Sequence, residues 1–536
     1  MKRTTILWIT ALLLGWCFDL LFWKQTPGLN FSIYVLLCLA GGMLVLGRNG
    51  IRPAWKSLLQ LIPILFFAVI PLIRQEPLTL ALSFVLTLGL MGLLAASYLG
   101  GRWPSYGLTD YVVQSARLAG SLIARPLIFL YGNRKSAVPA GQNDAAVVTS
   151  HPGRKHFWAI LRGVLIAIPI LAVFAVLLAS ADLVFAQRLH TFTSLFRLVN
   201  LPQYLFRLFY ILVAAYALAG VFLHAAQRST DEKLFSQKPL VPQFLGFTEA
   251  AVVLGAVVVL FALFVVIQFQ YFFGASANIG VQGYTYSEYA RRGFGELVAV
   301  AFCSLLLFLG LSALVKRQNN AQRRAFSGLG IGMVVLVGVM LVSAFQRLLL
   351  YEAAYGFSRL RIYTHIFMIW LGLLLVVVVL LDLLRRERLF PLATLLATIG
   401  FALTLTLINV DGSIVRQNVA RAPQGKGLDV AYLATLSNDS VPALAAAYES
   451  PALPGLTRDA VGAILVCRLH SVFQPALGDW RSFNLSAWRA DQTMARLRSR
   501  LGLYQVNEEQ PAVVDGTAQT SGVTVLTPGK VFYACP

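Results

Sequence analysis

Glu288, Arg292 and Glu296 stand four residues apart in the run YTYSEYARRGFGE that ends at Glu296. On a helix that spacing stacks alternating charges along one face. Carboxylates and a guanidinium so placed can hold one another, or can hold a charged headgroup, a sugar or a peptide. Tyr286 and Tyr289 beside Arg291 add amphipathic rings of the kind that concentrate at a membrane–water boundary. A second stretch, QRLLLYEAAYGFSRLR, gathers Arg347, Tyr351, Glu352, Tyr355 and Arg359 within a few turns. Arg347 falls within or at the edge of an apolar run, where an ionisable group needs a partner and marks a functional position. Glu288, Glu296 and Glu352 are the carboxylates available to it. The same residues would equally make a charged and aromatic collar that anchors helix ends, so binding and anchoring both remain open.

This chemistry points to recognition more than to reaction. The chain has no phosphate-binding glycine loop, no HExxH and no convincing nucleophile elbow. No cysteine and histidine spacing suggests zinc, so neither a metal nor a cofactor is expected. A membrane-embedded enzyme using Glu288 or Glu352 as acid or base on a lipid-linked substrate is one alternative. A secondary transporter of a small molecule, with ionisable residues along its path, is the other; Pro63, Pro71 and Pro169 are helix breakers, but no internal repeat accompanies them.

The elements that must position these residues are membrane helices. Apolar residues make up 58% of the chain and charged ones only 12%, far from the balance of a soluble domain. Apolar runs of about twenty residues recur near 6–23, 29–47, 57–73, 78–100, 157–180, 203–226, 247–270, 295–315, 326–350, 361–383 and 389–409, each long enough to cross a bilayer as a helix. The expected fold is therefore all-α: a polytopic helical membrane protein of about eleven transmembrane helices with a small, mainly helical C-terminal soluble domain. The expected division is a four-helix segment at 1–100, an amphipathic segment and linker at 101–156, a seven-helix core at 157–410 and an extramembrane domain at 411–536.

Charge sets the orientation. The net charge is +21, which alone would suggest nucleic acid. However, 33 basic and 13 acidic residues precede Asp411, against 11 and 10 from Asp411 onward, so the excess belongs to membrane-flanking loops and no nucleic-acid partner is expected. Loops bearing Arg48, Arg52, Lys56, Arg102, Lys316, Arg317, Arg323 and Arg385 are expected on the cytoplasmic side, with the N terminus. An odd number of spans then puts the terminal domain outside. The segment 108–131 mixes apolar residues with Arg117 and Arg125 and is expected either to lie along the headgroups or simply to connect spans; 132–153 reads as a linker.

In the terminal domain, Ser437-Asn438-Asp439 before Pro442 punctuates a helix start, 485–504 has helical spacing with a basic face, and Pro528-Gly529 suggests a hairpin. Cys17, Cys38 and Cys303 fall within spans. Cys467 and Cys535 fall outside them, and an oxidising compartment would permit a bond between them.

Four segments, YTYSEYARRGFGEL, SAFQRLLLYEAAYGFSRLRIYTH, LFALFVVIQFQYFFG and DVAYLATLSNDSVPAL, resemble the bacterial membrane family catalogued as domain of unknown function four-one-seven-three, over about Gly246 to Leu444. Where that family often carries a bulky aromatic after its Gly-Phe pair, this chain has Gly295. The resemblance implies a multi-span inner-membrane protein and brings no activity or catalytic residue with it. The functional expectation is a non-enzymatic envelope protein, multi-pass in the bacterial cytoplasmic membrane, whose partners are the lipid bilayer and a lipid, peptide or protein bound at the outer face.

Overall fold

The computed structural model describes residues 4–135, 201–227, 244–273, 294–471, 479–508 and 523–536, with positions 174, 178, 182 and 229 and the pairs 513–514 and 517–518. Ten helical segments among the described residues are long and apolar enough to cross a membrane. They comprise α1 (Thr4–Phe22), α2 (Leu29–Arg48), the pair α3 (Trp55–Leu58) and α4 (Leu61–Ile73), and α5 (Pro77–Ser97). After α6 (Leu108–Lys135), which is not one of the ten, come α7 (Leu201–Gln227), α8 (Phe247–Phe273), α9 (Phe294–Leu314), α10 (Asn320–Tyr355), α11 (Arg359–Leu383) and α12 (Phe390–Ile408). The expected span at 157–180 lies outside the described residues apart from Phe174 and Leu178, both helical, as does nearly all of the expected linker. Its first four residues, Gly132 to Lys135, instead prolong α6.

Most of the spans present apolar side chains outward, as a bundle in lipid must. Helix α6 does so too: Leu108, Val112, Ile123 and Ile128 are exposed, while Asp110, Gln114 and Ser121 are buried against the bundle. Its Ser121 hydroxyl meets His224 Nδ1 at 2.8 Å.

Helices α1 and α7 approach so closely at Gly15 that a Cβ there would sit 2.6 Å from the Ile211 carbonyl oxygen. That contact brings Asp19 to Arg207, whose guanidinium donates to both carboxylate oxygens at 2.9 and 2.5 Å, with the Tyr210 hydroxyl donating to the same carboxylate. A carboxylate inside an apolar helix is tolerable when it is answered in this way.

The chain ends in a domain made of α13 (Val410–Arg421), α14 (Val430–Ala434), α15 (Val441–Glu449), α16 (Gly455–Ser471) and α17 (Leu485–Leu501). Five short strands follow: β1 (Gln505–Glu508), β2 (Val513–Val514), β3 (Thr517–Ala518), β4 (Val523–Leu526) and β5 (Phe532–Ala534). They form an antiparallel sheet in the order β1-β4-β5 and a separate β2-β3 pair. The turn through Pro528 and Gly529 joins β4 to β5, the hairpin its sequence suggests. Cys467 and Cys535 are bonded, with Cα atoms 5.2 Å apart, and tie the last strand to α16.

One apolar core runs from this domain into the bundle, joining Ile414, Leu433, Val461, Ile464 and Leu497 to Ile362, Ile366 and Leu405 of α11 and α12. The domain therefore caps the ends of the spans and is not tethered loosely. The turns at 23–28, 74–76 and 356–358 meet it. On the opposite end, Trp103 Nε1 donates to the Lys56 carbonyl, the Ala54 amide to the Tyr98 carbonyl, and Arg385 to Asn320 Oδ1, which gathers the remaining short turns there.

Candidate functional site

Of the eleven polar candidates, Tyr286, Glu288, Tyr289, Arg291 and Arg292 lie outside the described residues. Glu296 stands exposed in the first turn of α9. Arg347, Tyr351, Glu352, Tyr355 and Arg359 lie at the end of α10 and the start of α11, beside the terminal domain.

The turn between those helices is fixed by Gly356, whose φ of 85° lies in the left-handed region that a side chain disfavours. The Asn418 side chain then clamps Phe357 from both directions, accepting from its amide and donating to its carbonyl, both at 2.9 Å. With the turn held, Arg359 reaches Asp411 at the start of α13. Two parallel hydrogen bonds of 2.7 and 2.6 Å join them, the bidentate geometry that a planar guanidinium favours. Asp411 is wholly buried and also accepts from the Ser437 amide at 2.7 Å; the Tyr432 hydroxyl accepts from the Arg359 amide.

A second junction lies beside the first. Asp439 accepts from the Gln75 and Glu76 amides at 2.8 and 3.0 Å, and Glu76 caps α5 through the Leu78 and Thr79 amides. The Tyr363 hydroxyl donates to Glu76. Asn484 donates to the Pro71 carbonyl at 2.7 Å. Burial pushes the Asp439 carboxyl above the usual aspartate range, although the Gln75 amide and Arg74 pull the other way. Arg468, buried in the domain, donates to the carbonyls of Ala434 and Leu436 and to Asn438 Oδ1; burial draws its guanidinium down to about 10.

Above these junctions opens a polar cavity of about 370 Å³ whose lining includes Tyr355, Arg361, Asn418, Arg421, Lys426 and Tyr432. Arg361 stacks over the Tyr351 ring at 4.2 Å and donates to the Gly356 carbonyl. Arg421 donates to the Ala353 carbonyl at 2.6 Å. Burial and the neighbouring Arg361 guanidinium hold Arg421 below the usual arginine value, against the pull of Glu352. Three cations thus converge on a space whose one lining carboxylate, Asp429, is engaged in capping α14 through the Tyr432 amide. Such a site can receive an anionic group.

Glu352, one turn below, lies beside His365 of α11, with Nδ1 to Oε1 at 3.3 Å. The sequence offers Glu352 as a partner for Arg347 and His365 as a structural residue; the structure pairs Glu352 with His365. That pairing, Asp411 and the Arg421–Lys426 wall escape a reading of the two motifs alone. Asp411 and Arg421 lie outside both motifs, and only the fold of α13 back over α11 brings them in. The one available signal is local: an Asp and two Arg within the first eleven residues after an apolar run.

Spans, caps and polar junction define a multi-pass helical membrane protein with a docked terminal domain. The family profile described as Domain of unknown function (DUF4153) matches residues 61–447, more than two thirds of the chain, and the chain belongs to that family. The number is 4153 and not the 4173 that the motifs suggested. No curated protein and no solved structure matches the chain.

Proposed function

We propose that this chain is an integral protein of a bacterial cytoplasmic membrane, N terminus inside and terminal domain outside, that binds an anionic ligand at its outer face without transforming it. The cavity lined by Arg361, Arg421 and Lys426 carries the proposal, because three cations of one sign face it while its carboxylate is already engaged. A lipid headgroup fits best among the lipid, peptide and protein partners expected from sequence, since the cavity adjoins the ends of α10 and α11.

The orientation rests on arginine-rich turns gathering at the end opposite the terminal domain and on the Cys467–Cys535 bond, which an oxidising compartment would maintain. The exposed apolar side of α6 suits contact with lipid, in keeping with an interfacial helix.

The test is titration of the full chain, in a neutral detergent, with dihexanoyl phosphatidylglycerol by calorimetry. Arg421→Gln with Lys426→Gln should weaken binding roughly tenfold, as two lost charge contacts would. Unchanged affinity in a folded double variant would overturn the proposal.

A second reading, proton-coupled transport, is favoured by one observation: Glu352 is 1% exposed between two spans and is answered by a histidine. Uptake of solute into proteoliposomes along an imposed pH gradient, absent in Glu352→Gln, would replace the binding-only account.

A further inference from the structure

The opposite end of the bundle carries a second basic cavity, of about 410 Å³. Arg385, Arg386 and Arg388 come to it from the turn after α11, Arg323 from the first turn of α10, and Ser105 from the one-turn helix Trp103–Ser105. The carboxylate in its lining, Glu387, is engaged by Arg317 at 3.2 Å. Arg317 is itself held by Asp382 at 2.7 Å and by the Ser312 hydroxyl, with Ser327 donating to the other oxygen of Asp382. The carboxylates behind the cavity are thus held by Arg317, and four guanidiniums of like sign share the lining.

Two features show that the turn is shaped to present these groups. Arg385 has φ 57°, the left-handed conformation that ends many helices and normally falls to glycine, because a Cβ disfavours it. The helix end is nevertheless well formed, since the Arg385 and Arg386 amides donate to the Asp382 and Leu381 carbonyls at 3.0 and 2.8 Å. The side chain of Arg385 then reaches Asn320 Oδ1 at 3.0 Å and ties the turn to α10. Leu383 and Leu384, immediately before the arginines, are exposed. Apolar surface beside a cationic hollow, at the end of a span, matches a lipid's acyl chains and its headgroup in their natural order.

We propose that this cavity binds the phosphate group of an anionic lipid headgroup. A basic pocket between spans is the usual means of holding such a headgroup, and guanidiniums take phosphate oxygens in pairs. The assignment is independent of the cavity under the terminal domain, which lies at the other end of the bundle.

The test uses the full chain in a neutral detergent and native mass spectrometry, with phosphatidylglycerol, phosphatidylcholine and inorganic phosphate as probes. Wild type should retain phosphatidylglycerol over phosphatidylcholine. Introduced into a chain whose other cavity is already silenced by Arg421→Gln and Lys426→Gln, Arg386→Gln with Arg388→Gln should lower phosphatidylglycerol retention roughly tenfold, with an unchanged melting temperature. Displacement of the lipid by equimolar inorganic phosphate would support the anion site and assign it to a soluble phosphate; resistance to displacement would assign it to the lipid. Equal retention of the two lipids by wild type, or phosphatidylglycerol retention in the silenced chain that is the same with and without the Arg386 and Arg388 changes, would overturn the proposal. Should the double variant fail to fold, Arg323→Gln is read in its place by the same two criteria.

Discussion

Arg359 opens α11 and Asp411 opens α13, and the two bonds between them at 2.7 and 2.6 Å join the membrane bundle to the terminal domain. Asp411 has no exposure, and Arg359 keeps 23% of its side chain accessible. The pair is thus desolvated on one side only. Its carboxylate serves the Ser437 amide as well, so one charge holds three donors from two parts of the molecule.

Removing that charge should release both contacts. Asp411→Asn leaves the Arg359 guanidinium facing an amide, and breaking a buried pair at one partner costs about 3–5 kcal/mol. The expected outcome is a lowered midpoint in thermal unfolding together with new protease cleavage in 422–440. Arg359→Lys should lie between the two, keeping charge and losing the bidentate geometry. A melting curve and cleavage pattern equal to wild type in Asp411→Asn would contradict the assigned role.

The helices themselves were legible in the sequence because a bilayer imposes a length and a composition on each span; the described spans fall within a few residues of the apolar runs. The clasp between Arg359 and Asp411 was not legible, because 52 residues separate the two and nothing local records which helix returns over which. Tyr355 and Arg359 were visible as candidates, being polar beside an apolar run. Asn418, Arg421 and Lys426, which line the cavity with Tyr355, look like an ordinary solvated stretch until α13 folds back. Glu352 is legible as a group in need of a partner, but that His365 faces it from α11 is set only by the packing of two helices.

That facing pair predicts a coupling. With Nδ1 and Oε1 3.3 Å apart and Glu352 1% exposed, replacing either side chain alone strands the other. His365→Phe and Glu352→Gln should each destabilise the detergent-solubilised protein, and the double variant should recover part of the loss. A coupling energy of about 1–2 kcal/mol is expected from a double-mutant cycle on adjacent residues. Strict additivity would show that the two groups do not depend on each other.

The α1–α7 crossing gives a steric prediction. A Cβ at Gly15 would meet the Ile211 carbonyl oxygen at 2.6 Å, and the atoms it meets next belong to Ala215. Backbone cannot give way as a flexible side chain can, so Gly15→Leu should force the helices apart at a cost of about 1–3 kcal/mol. Separation also lengthens the bonds from Arg207 to Asp19. Cysteine pairs placed across the crossing should therefore cross-link in wild type and fail to do so in Gly15→Leu; equal cross-linking would refute the account.

Asp479 makes the docking of the terminal domain sensitive to acid. Its carboxylate is held below the usual aspartate range by the side-chain and backbone bonds of Arg481, and it accepts from Gln25 Nε2 in the turn after α1. A carboxyl whose folded value is depressed contributes stability above its unfolded value of about 3.9 and loses it as pH falls through the folded value. Cross-linking between cysteines placed at 29 and 483, which leaves Gln25 and Asp479 in place, should therefore be constant from pH 8 to about 5 and decline below about 4. Asp479→Asn should lower the plateau and remove the acid step. An acid step of the same size in that variant would assign the effect elsewhere.

The bond between Cys467 and Cys535 closes a loop spanning a sequence separation of 68 residues. Chain-entropy reasoning gives such a loop about 4 kcal/mol, much of it exerted on the unfolded domain. Cys535 sits beyond β5 at the chain end and Cys467 inside the core of α16, so reduction frees the sheet edge first. Cys535→Ser should then melt at a lower temperature than wild type and lose the hydrogen-exchange protection of Val523–Leu526, while the spans keep theirs. The same two sulfurs report the side of the membrane. In a variant lacking Cys17, Cys38 and Cys303, a membrane-impermeant maleimide applied to intact spheroplasts should label the protein only after reduction. Labelling that requires permeabilised membranes would put the terminal domain inside, and with it the cavity of Arg361, Arg421 and Lys426; the outer-face proposal would fall, while the clasp of Arg359 and Asp411 would stand unchanged.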